Sequence, residues 1–239
     1  MIVAIITDIH LTPDGSNPQG LPVWDNFFWA LSDARKNDAE MLILTGDLCY
    51  DVGNADTIQK VKNILVDSGI EHYAIPGNHD DPKMLCDVFG YEMKDKRMKP
   101  FSIKKKNATW YFLDSSDYTL CMEDLMFVLN DNTESMKLTC IHHPLCKGAS
   151  LFMDTHHALK NYDDVYSILL KTNQPVSFFH GHYHIESQLN LNDFNFYLTP
   201  STFYQIDGQS AHHVVSSVRP AYRLVNIGDK NLHTCIIAQ

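Results

Sequence analysis

The sequence predicts a layered α/β fold over its 239 residues. In the first third of the chain, short apolar segments rich in Ile and Val alternate with amphipathic segments of helical spacing, and from about residue 185 only short alternating runs occur. The order strand, helix, strand, helix, strand favours parallel strands joined by right-handed crossovers. Hydrophobic residues make up 44% of the chain, which is enough for a sizeable core. We therefore expect one domain over residues 1–239, with a β-rich part from about residue 185.

The first half of the chain predicts three strands and two helices in alternation. Residues 1–7, "MIVAIIT", form a continuous apolar run, as in a strand buried on both faces. Residues 23–37 carry apolar residues at helical spacing and end in basic residues, and residues 55–69 form a second such segment before a glycine stop. Two further buried strands are predicted at residues 40–45 and 71–75.

The second half predicts a β-hairpin followed by further strands and helices. The segment "PFSIKKKNATWYFLD" (100–114) is typical of a hairpin with its turn near Lys106 and Asn107. The remaining predicted elements are a short helix at 120–131, a strand at 135–143, a helix at 161–173 and a strand at 175–181. The basic residues of segment 94–106 are interpreted as a solvated hairpin, with steering of a phosphate substrate as the alternative.

Charge and composition exclude some partners and compartments. The chain has 19 basic and 29 acidic residues, a net charge of −10, which disfavours duplex nucleic acid and anionic membranes because both reward a basic face. No apolar run approaches ~18 residues, and the first residues lack the pattern of a secretory signal. The six cysteines are scattered without a C-x-x-C pair, so reduced thiols are expected. These features favour a cytoplasmic protein.

Polar clusters follow five of the predicted strands at their carboxyl ends. Open α/β sheets build their binding sites at that edge, so we expect the five clusters to form one shared site. The clusters are Asp8 with His10, Asp47 after Gly46, Asn78 to Asp80, His142 with His143, and His182 with His184.

The residue types in these clusters suit transition metals. Carboxylate and amide oxygens together with imidazole nitrogens favour manganese, iron or zinc over calcium, and no thiol is present for a structural zinc site of the cysteine type. The candidate ligands number seven, which is too many for one tetrahedral ion and suits two ions that share a carboxylate. These are Asp8, His10, Asp47, Asn78, His142, His182 and His184.

Each cluster alone also has an ordinary structural explanation. Asp8, Asp47 and Asn78 could serve turns, since Asp, Asn and Gly tolerate unusual backbone angles. His180 is interpreted as a core histidine on the preceding strand. The pairs 156–157 and 212–213 are not expected to bind metal. The order and position of the five clusters favour the metal site.

The ordered motifs D-x-H, G-D, G-N-H-D, H-H-P and G-H-x-H resemble the calcineurin-like metallophosphoesterase superfamily over roughly residues 3–184. The segments "TDIHL", "GNHDD", "FLDSS", "MDTHHALKN", "TPSTFYQ" and "RPAYRLVNI" are similar to those of its class III cyclic-nucleotide phosphodiesterases. The resemblance implies a four-layer α/β/β/α metallophosphoesterase sandwich. Residues 114–135 and 145–155 depart from the pattern of many relatives, and both can border the substrate.

Carried onto this sequence, the resemblance implies two divalent or trivalent metal ions per chain, manganese or iron first and zinc as an alternative. Asp47 would bridge both ions. The first ion would be held by Asp8, His10 and His184, and the second by Asn78, His142 and His182.

The resemblance also implies the reaction. A metal-bridging hydroxide would attack phosphorus, and His79 would act as the general acid, with Asp80 holding its imidazole. Asn78 and His79 would lie near the substrate, and His143 is expected either near the substrate or packed behind the ligands. The expected activity is hydrolysis of 3′,5′-cyclic nucleotides, cyclic AMP first, to nucleoside 5′-monophosphates. A broader phosphodiesterase or phosphomonoesterase and a catalytically silent scaffold are the alternatives. The expected partner is a small nucleotide, and a homodimer is left open.

Overall fold

Two β-sheets form the centre of the computed structural model, which describes residues 1–239. Sheet one contains five strands, in the order β15 (Leu232–Ala238), β14 (Ala221–Ile227), β1 (Ile2–Ile6), β2 (Met41–Leu44) and β3 (Glu71–Ala74). Sheet two contains six strands, in the order β10 (Ser187–Leu191), β11 (Phe194–Leu198), β9 (Val176–His180), β8 (Met136–Cys140), β7 (Ala108–Phe112) and β6 (Phe101–Lys105). Two short antiparallel pairs complete the strands, β4 (Met93–Lys94) with β5 (Arg97–Met98) and β12 (Gln205–Ile206) with β13 (Val215–Ser217).

The strands that carry the candidate site run parallel. In sheet one, β1, β2 and β3 are parallel, with Ile5 opposite Ile43 and Ile43 opposite Tyr73. In sheet two, β7, β8, β9 and β11 are parallel. The carboxyl ends of the parallel strands of a sheet therefore lie at the same edge.

Helices cover the outer face of each sheet. Helices α1 (Val23–Lys36), α2 (Ala55–Ser68) and α3 (Pro82–Phe89) belong to the first half, and α4 (Met122–Leu129), α5 (Leu151–His156) and α6 (Tyr162–Lys171) to the second. A cluster of 38 buried residues joins helices α1–α3, sheet one and the inner face of sheet two. Phe27 of α1, Ile43 of β2 and Trp110 of β7 are among its members. A second cluster of 15 residues packs α4 and α6 on the outer face of sheet two through residues such as Leu125 and Phe178.

These clusters define four layers: helices, sheet one, sheet two, helices. The expected α/β/β/α sandwich is confirmed. Each predicted strand and helix is present within a few residues of its predicted bounds, and the hairpin turns at Lys106 and Asn107 as expected. Residues after 185 form six strands and no helix.

Two helices were not predicted, and both are short. Asp81 caps helix α3, because its side chain accepts a hydrogen bond from the Met84 amide, and Pro82 occupies the first helical position. Helix α5 begins at Ser150, which caps the Met153 amide, and spans six residues. Segments this short do not contain enough turns for a hydrophobic period to be recognised.

Surface charges and cysteines follow simple patterns. Within segment 94–106, five basic side chains are paired with acidic ones; these are Lys94, Arg97, Lys99, Lys105 and Lys106. All six cysteines are free thiols.

No helix combines the length and the apolar character needed to cross a membrane.

Candidate metal centre and active-site cavity

The polar clusters after β1, β2, β3, β8 and β9 meet where the edges of the two sheets come together. The Gly181 amide donates to the His142 carbonyl (3.1 Å), which joins the loops after β9 and β8. The His182 amide donates to the Asp8 carboxylate (3.0 Å), which joins sheet two to sheet one. The five clusters therefore form one site, as the sequence predicts.

Close approach of these loops depends on glycine. A Cβ atom on Gly181 would clash with the Thr7 hydroxyl and come within 2.6 Å of the Asp8 carboxylate. Gly46 has φ +100°, a conformation open mainly to glycine, and a Cβ there would clash with the His142 ring. The G-D and G-H-x-H motifs therefore contain glycine because the neighbouring loop occupies the side-chain position.

Five of the candidate ligands have left-handed backbone angles. Such angles cost non-glycine residues on the order of 1–3 kcal/mol each and persist only where the surroundings enforce them. The φ values are 51° for Asp8, 47° for His10, 52° for Asp47, 67° for His182 and 49° for His184. This concentration of strained backbone marks the site as a functional one.

A first group of candidate ligands contains Asp8, His10 and His184, whose ligand atoms lie within 4.8 Å of one another. All three residues are buried, with at most 5% exposure. His184 Nε2 lies 3.3 Å from Asp8 Oδ1 and 3.2 Å from His10 Nε2. Separations of this size suit two nitrogens and an oxygen on one cation, since each metal–ligand bond is about 2.0–2.2 Å.

A second group contains Asp47, His142 and His182, again with ligand atoms within 4.8 Å. His142 Nε2 lies 3.4 Å from Asp47 Oδ2 and 3.3 Å from Asn78 Oδ1. His10 Nε2 lies 3.9 Å from Asp47 Oδ2, so Asp47 adjoins both groups. The structure thus brings all seven predicted ligand side chains together, with Asp47 in the middle.

The histidine rings are held in orientations that suit metal binding. One nitrogen of each of three rings donates to a backbone carbonyl: His142 Nδ1 to Thr45 (2.8 Å), His182 Nε2 to His157 (2.9 Å) and His184 Nδ1 to Tyr204 (2.9 Å). Each bond fixes the tautomer and leaves the other ring nitrogen with a free lone pair, the usual arrangement of metal-bound histidine. The donor set therefore fits two cations.

Protonation in this cluster follows from burial and neighbouring charge. Burial lowers the pKa of His10 to about 4 and of His182 to about 3, so both rings are neutral. Burial works against the charge of Asp47, yet His142 and His10 outweigh it and hold the pKa of Asp47 well below its usual value. Burial likewise opposes the charge of His142, but Asp47 and Asp8 raise its pKa to about 9. Ionised carboxylates and neutral imidazoles are the forms that bind metals, so His142 would lose its proton on metal binding.

The expected bond between Asp80 and the His79 imidazole is absent. The Asp80 carboxylate accepts hydrogen bonds from the backbone amides of Leu48 (3.0 Å), Cys49 (3.0 Å) and Gly77 (2.9 Å), and so is turned away from His79. The His79 ring instead donates from Nδ1 to the Asp51 carbonyl (3.1 Å). Asp80 is thus a positioning residue of the loops after β2 and β3, not a partner of the His79 ring.

His143 does not line the cavity, so of its two expected places the one behind the ligands agrees with the structure. Its side chain is fully buried, and Nδ1 lies 2.9 Å from the Ser115 hydroxyl. The His143 and His182 rings pack at 4.2 Å between centroids, so His143 contacts the candidate ligand His182 without lining the cavity. His180 is also fully buried and donates to the Ile141 carbonyl (3.1 Å), as expected of a core histidine.

A cavity of about 190 Å³ opens above the candidate ligands. His79 and Asn78 lie on its wall, as expected for residues near a substrate. Several other wall residues were not predicted from the sequence: Tyr118, Phe152, His157, Tyr204 and His213. The segments "MDTHHALKN" and "TPSTFYQ" were noted for their resemblance, but no pattern within them showed which side chains would face the site.

Comparison with known proteins supports a phosphoesterase. The family model for the calcineurin-like phosphoesterase matches residues 1–199. A probable cyclic nucleotide phosphodiesterase of Fibrobacter succinogenes is 31% identical over 234 residues, which cover 96% of this chain and 90% of that protein. A 3′,5′-cyclic-nucleotide phosphodiesterase of Nostoc is 25% identical, with 94% of this chain and 87% of that protein covered. Among solved structures, a dimetal phosphatase from Danio rerio has the same fold, with a TM-score of 0.65 at 14% identity over 98% of both chains.

Proposed function

This chain belongs to the calcineurin-like phosphoesterase family and is a dinuclear-metal phosphoester hydrolase, and from that premise we propose that it hydrolyses 3′,5′-cyclic nucleotides to nucleoside 5′-monophosphates. The observation that carries the proposal is the pair of ligand groups that adjoin Asp47 beneath one cavity, with His79 on the cavity wall. The names of the relatives support a phosphodiesterase with a small nucleotide as its substrate.

The proposed ligands divide into two sets that share Asp47. Asp8, His10 and His184 would hold one cation, and Asn78, His142 and His182 the other. Two cations held by these sets would supply a hydroxide nucleophile near neutral pH and would neutralise charge on the phosphate. Manganese or iron is proposed first, since the set combines hard oxygens with imidazole nitrogens.

His79 is proposed to protonate the departing ribose oxygen. The ring is half-buried on the cavity wall, and its Nδ1 bond to the Asp51 carbonyl leaves Nε2 to carry the transferred proton. The His79 amide also donates to Asp47 Oδ1 (2.9 Å), which fixes the backbone relative to the shared carboxylate. A ribose oxygen is a poor leaving group, so this proton transfer contributes roughly 10²–10⁴-fold to the rate.

The test is a panel of substrates given to protein purified without chelator and supplied with Mn²⁺. The panel contains cyclic AMP, cyclic GMP, 2′,3′-cyclic nucleotides, a linear dinucleotide and an aryl phosphate, with products identified by chromatography. We expect cyclic AMP to yield 5′-AMP, with a preference over cyclic GMP but not exclusivity. The Asp47→Ala variant is the matched negative control. Intact cyclic AMP beside rapid turnover of a linear diester or a monoester would identify a different phosphoesterase.

A further inference from the structure

The cavity above the candidate ligands is too small to enclose a whole nucleotide. Pockets that enclose a small-molecule ligand are roughly 300–1,000 Å³, and this one is about 190 Å³. With the phosphate at the candidate ligands, the cavity has room for the phosphate and ribose of a substrate. The base must then lie at the rim, against whatever side chains stand there.

One side of the rim is a wall of aromatic side chains from two separate segments, which we call the aromatic wall: Phe152 and His157 from the α5 segment, and Tyr204 and His213 from the strand pair β12–β13 and its flanks. The Phe152 ring centroid lies 5.3 Å from that of His157 and 5.6 Å from that of His213. The Tyr204 ring centroid lies 5.8 Å from that of His213 and 4.9 Å from that of the candidate ligand His184. The wall is therefore continuous from the metal centre outward.

Three histidine rings contact Phe152, and none is stacked parallel on it. The interplanar angles are 42° for His156, 53° for His157 and 70° for His213. Phe152 is half-buried and His213 is exposed. Tyr118 also lies on the cavity wall, where its ring packs on His143 at 4.5 Å between centroids and the Lys160 ammonium lies over it at 5.3 Å.

The wall is held in a fixed position relative to the candidate ligands. Tyr183, which lies between His182 and His184 in the chain, packs in a small apolar cluster with Met153 and Ile206. Its hydroxyl donates to Asp154 of α5 (2.8 Å). The Leu151 amide donates to the Gly208 carbonyl (3.0 Å) and so links α5 to the segment after β12.

We propose that Phe152 and His213 form the base-binding platform of the active site, in which the base stacks on one ring and meets the other edge-on, and that they determine its affinity for nucleotides. The inference rests on the proposed function, because it assigns the base of that substrate to the aromatic wall. Stacking on aromatic rings tolerates all bases, since each base has a π-face, so the platform favours nucleotides over base-free phosphate esters without selecting one base strictly.

The test measures binding of the product 5′-AMP and of ribose 5-phosphate to metal-loaded protein by titration calorimetry. Ribose 5-phosphate keeps the sugar and phosphate and lacks only the base. We expect 5′-AMP to bind the unchanged protein roughly 5- to 100-fold more tightly than ribose 5-phosphate. Phe152→Ala and His213→Ala should each lose most of that difference, while Phe152→Trp should retain it. Phe127→Ala, an exposed phenylalanine on α4, and His212→Ala, the exposed neighbour of His213, are the matched controls.

The outcomes test the proposed platform and the proposed function separately. Equal affinity of the unchanged protein for the two ligands, or an unchanged affinity ratio in both Phe152→Ala and His213→Ala, would overturn the platform. Affinity for ribose 5-phosphate, which has no aromatic ring, should be the same in the Phe127→Ala and His212→Ala controls as in the unchanged protein. Failure of the proposed function has a different signature: the unchanged protein would cleave bis(4-nitrophenyl) phosphate and leave cyclic nucleotides intact.

Discussion

Asn78 and His79 are neighbours on the loop after β3, but their side chains have different contacts. Asn78 Oδ1 lies 3.3 Å from the His142 ring, among the candidate ligands. The His79 ring lies on the cavity wall and donates to the Asp51 carbonyl. One of its nitrogens also lies within 4.8 Å of ligand atoms of His10 and Asp47. Asn78 is proposed as a ligand and His79 as the proton donor, and because His79 also lies near candidate ligand atoms, metal content is the measurement that separates the two roles.

We predict that Asn78→Ala lowers metal content and rate together, whereas His79→Ala retains the metal and loses roughly 10²–10⁴-fold in rate. Metal per chain measured by elemental analysis, beside kcat, separates the two variants. The His79→Ala loss should shrink for bis(4-nitrophenyl) phosphate, because nitrophenolate departs without a proton. An equal loss on both substrates would exclude His79 as the general acid.

Gly181 gives a second prediction at the scale of one residue. The added Cβ of Gly181→Ala would press on Thr7 and the Asp8 carboxylate, so we expect weaker metal binding and a loss of stability. Gly90→Ala is the matched control, because Gly90 has φ +77° and no atom within 4 Å of an added Cβ. Gly90→Ala should lower the free energy of unfolding by roughly 1 kcal/mol, because alanine disfavours the left-handed backbone angle. It should leave metal content unchanged. Full metal content in Gly181→Ala would show that the two loops can separate without loss of the site.

At the scale of elements, hydrophobic periodicity predicted the longer helices and the main strands before residue 185, but only a β-rich part after it, and not the arrangement of the strands. The run 1–7 and the helix 55–69 are strongly patterned, and both were predicted within two residues of the observed bounds. The placement of β14 beside β1 has no local signal, because it depends on pairing between residues more than 200 positions apart. The aromatic wall has no local signal in the sequence either, because a six-residue helix and a two-residue strand bring its rings together.

Asp80 couples two of these elements, the loops after β2 and β3. Asp80→Ala would leave the buried amides of Leu48, Cys49 and Gly77 without their acceptor, at a cost of roughly 1–3 kcal/mol each. We therefore predict a lower unfolding temperature and weaker metal binding, because Asp47 lies on one of these loops and Asn78 on the other.

Asp81→Ala is the control for this change. Asp81 caps α3 and bonds only the Met84 amide, so its loss should cost about 1 kcal/mol and leave metal affinity intact. Circular dichroism melts and metal titration measure both properties. If Asp80→Ala bound metal normally and melted at the usual temperature but had a lower kcat, Asp80 would take part directly in catalysis.

At the scale of the whole molecule, we propose that residues 1–239 unfold as one domain. The largest buried cluster contains residues of both sheets, for example Ile43 and Trp110, so neither sheet can lose its inner packing alone. We predict a single calorimetric transition whose measured enthalpy equals the van't Hoff enthalpy. Two resolved transitions would show that the sheets belong to separate folding units.

The metal centre extends this coupling, because its candidate ligands come from both sheets. Asp8, Asp47 and Asn78 follow strands of sheet one, and His142, His182 and His184 follow strands of sheet two. A cation bound across that boundary stabilises the folded state and has no equivalent site in the unfolded chain. The sequence could predict this set because each ligand lies directly after a patterned strand, but that position alone could not distinguish the ligand His142 from its buried neighbour His143.

We therefore predict that metal ions raise the unfolding temperature of chelator-treated protein in two saturable steps. A free metal concentration of 100 times Kd contributes about 2.7 kcal/mol per site, or roughly 5–10 °C for a chain of this length. Scanning calorimetry during Mn²⁺ titration measures the effect. Asp47→Ala should lose most of it, since Asp47 adjoins both groups, and His79→Ala should keep it. An unfolding temperature that does not respond to Mn²⁺, Fe²⁺ or Zn²⁺ would mean that these seven side chains hold no metal across the two sheets.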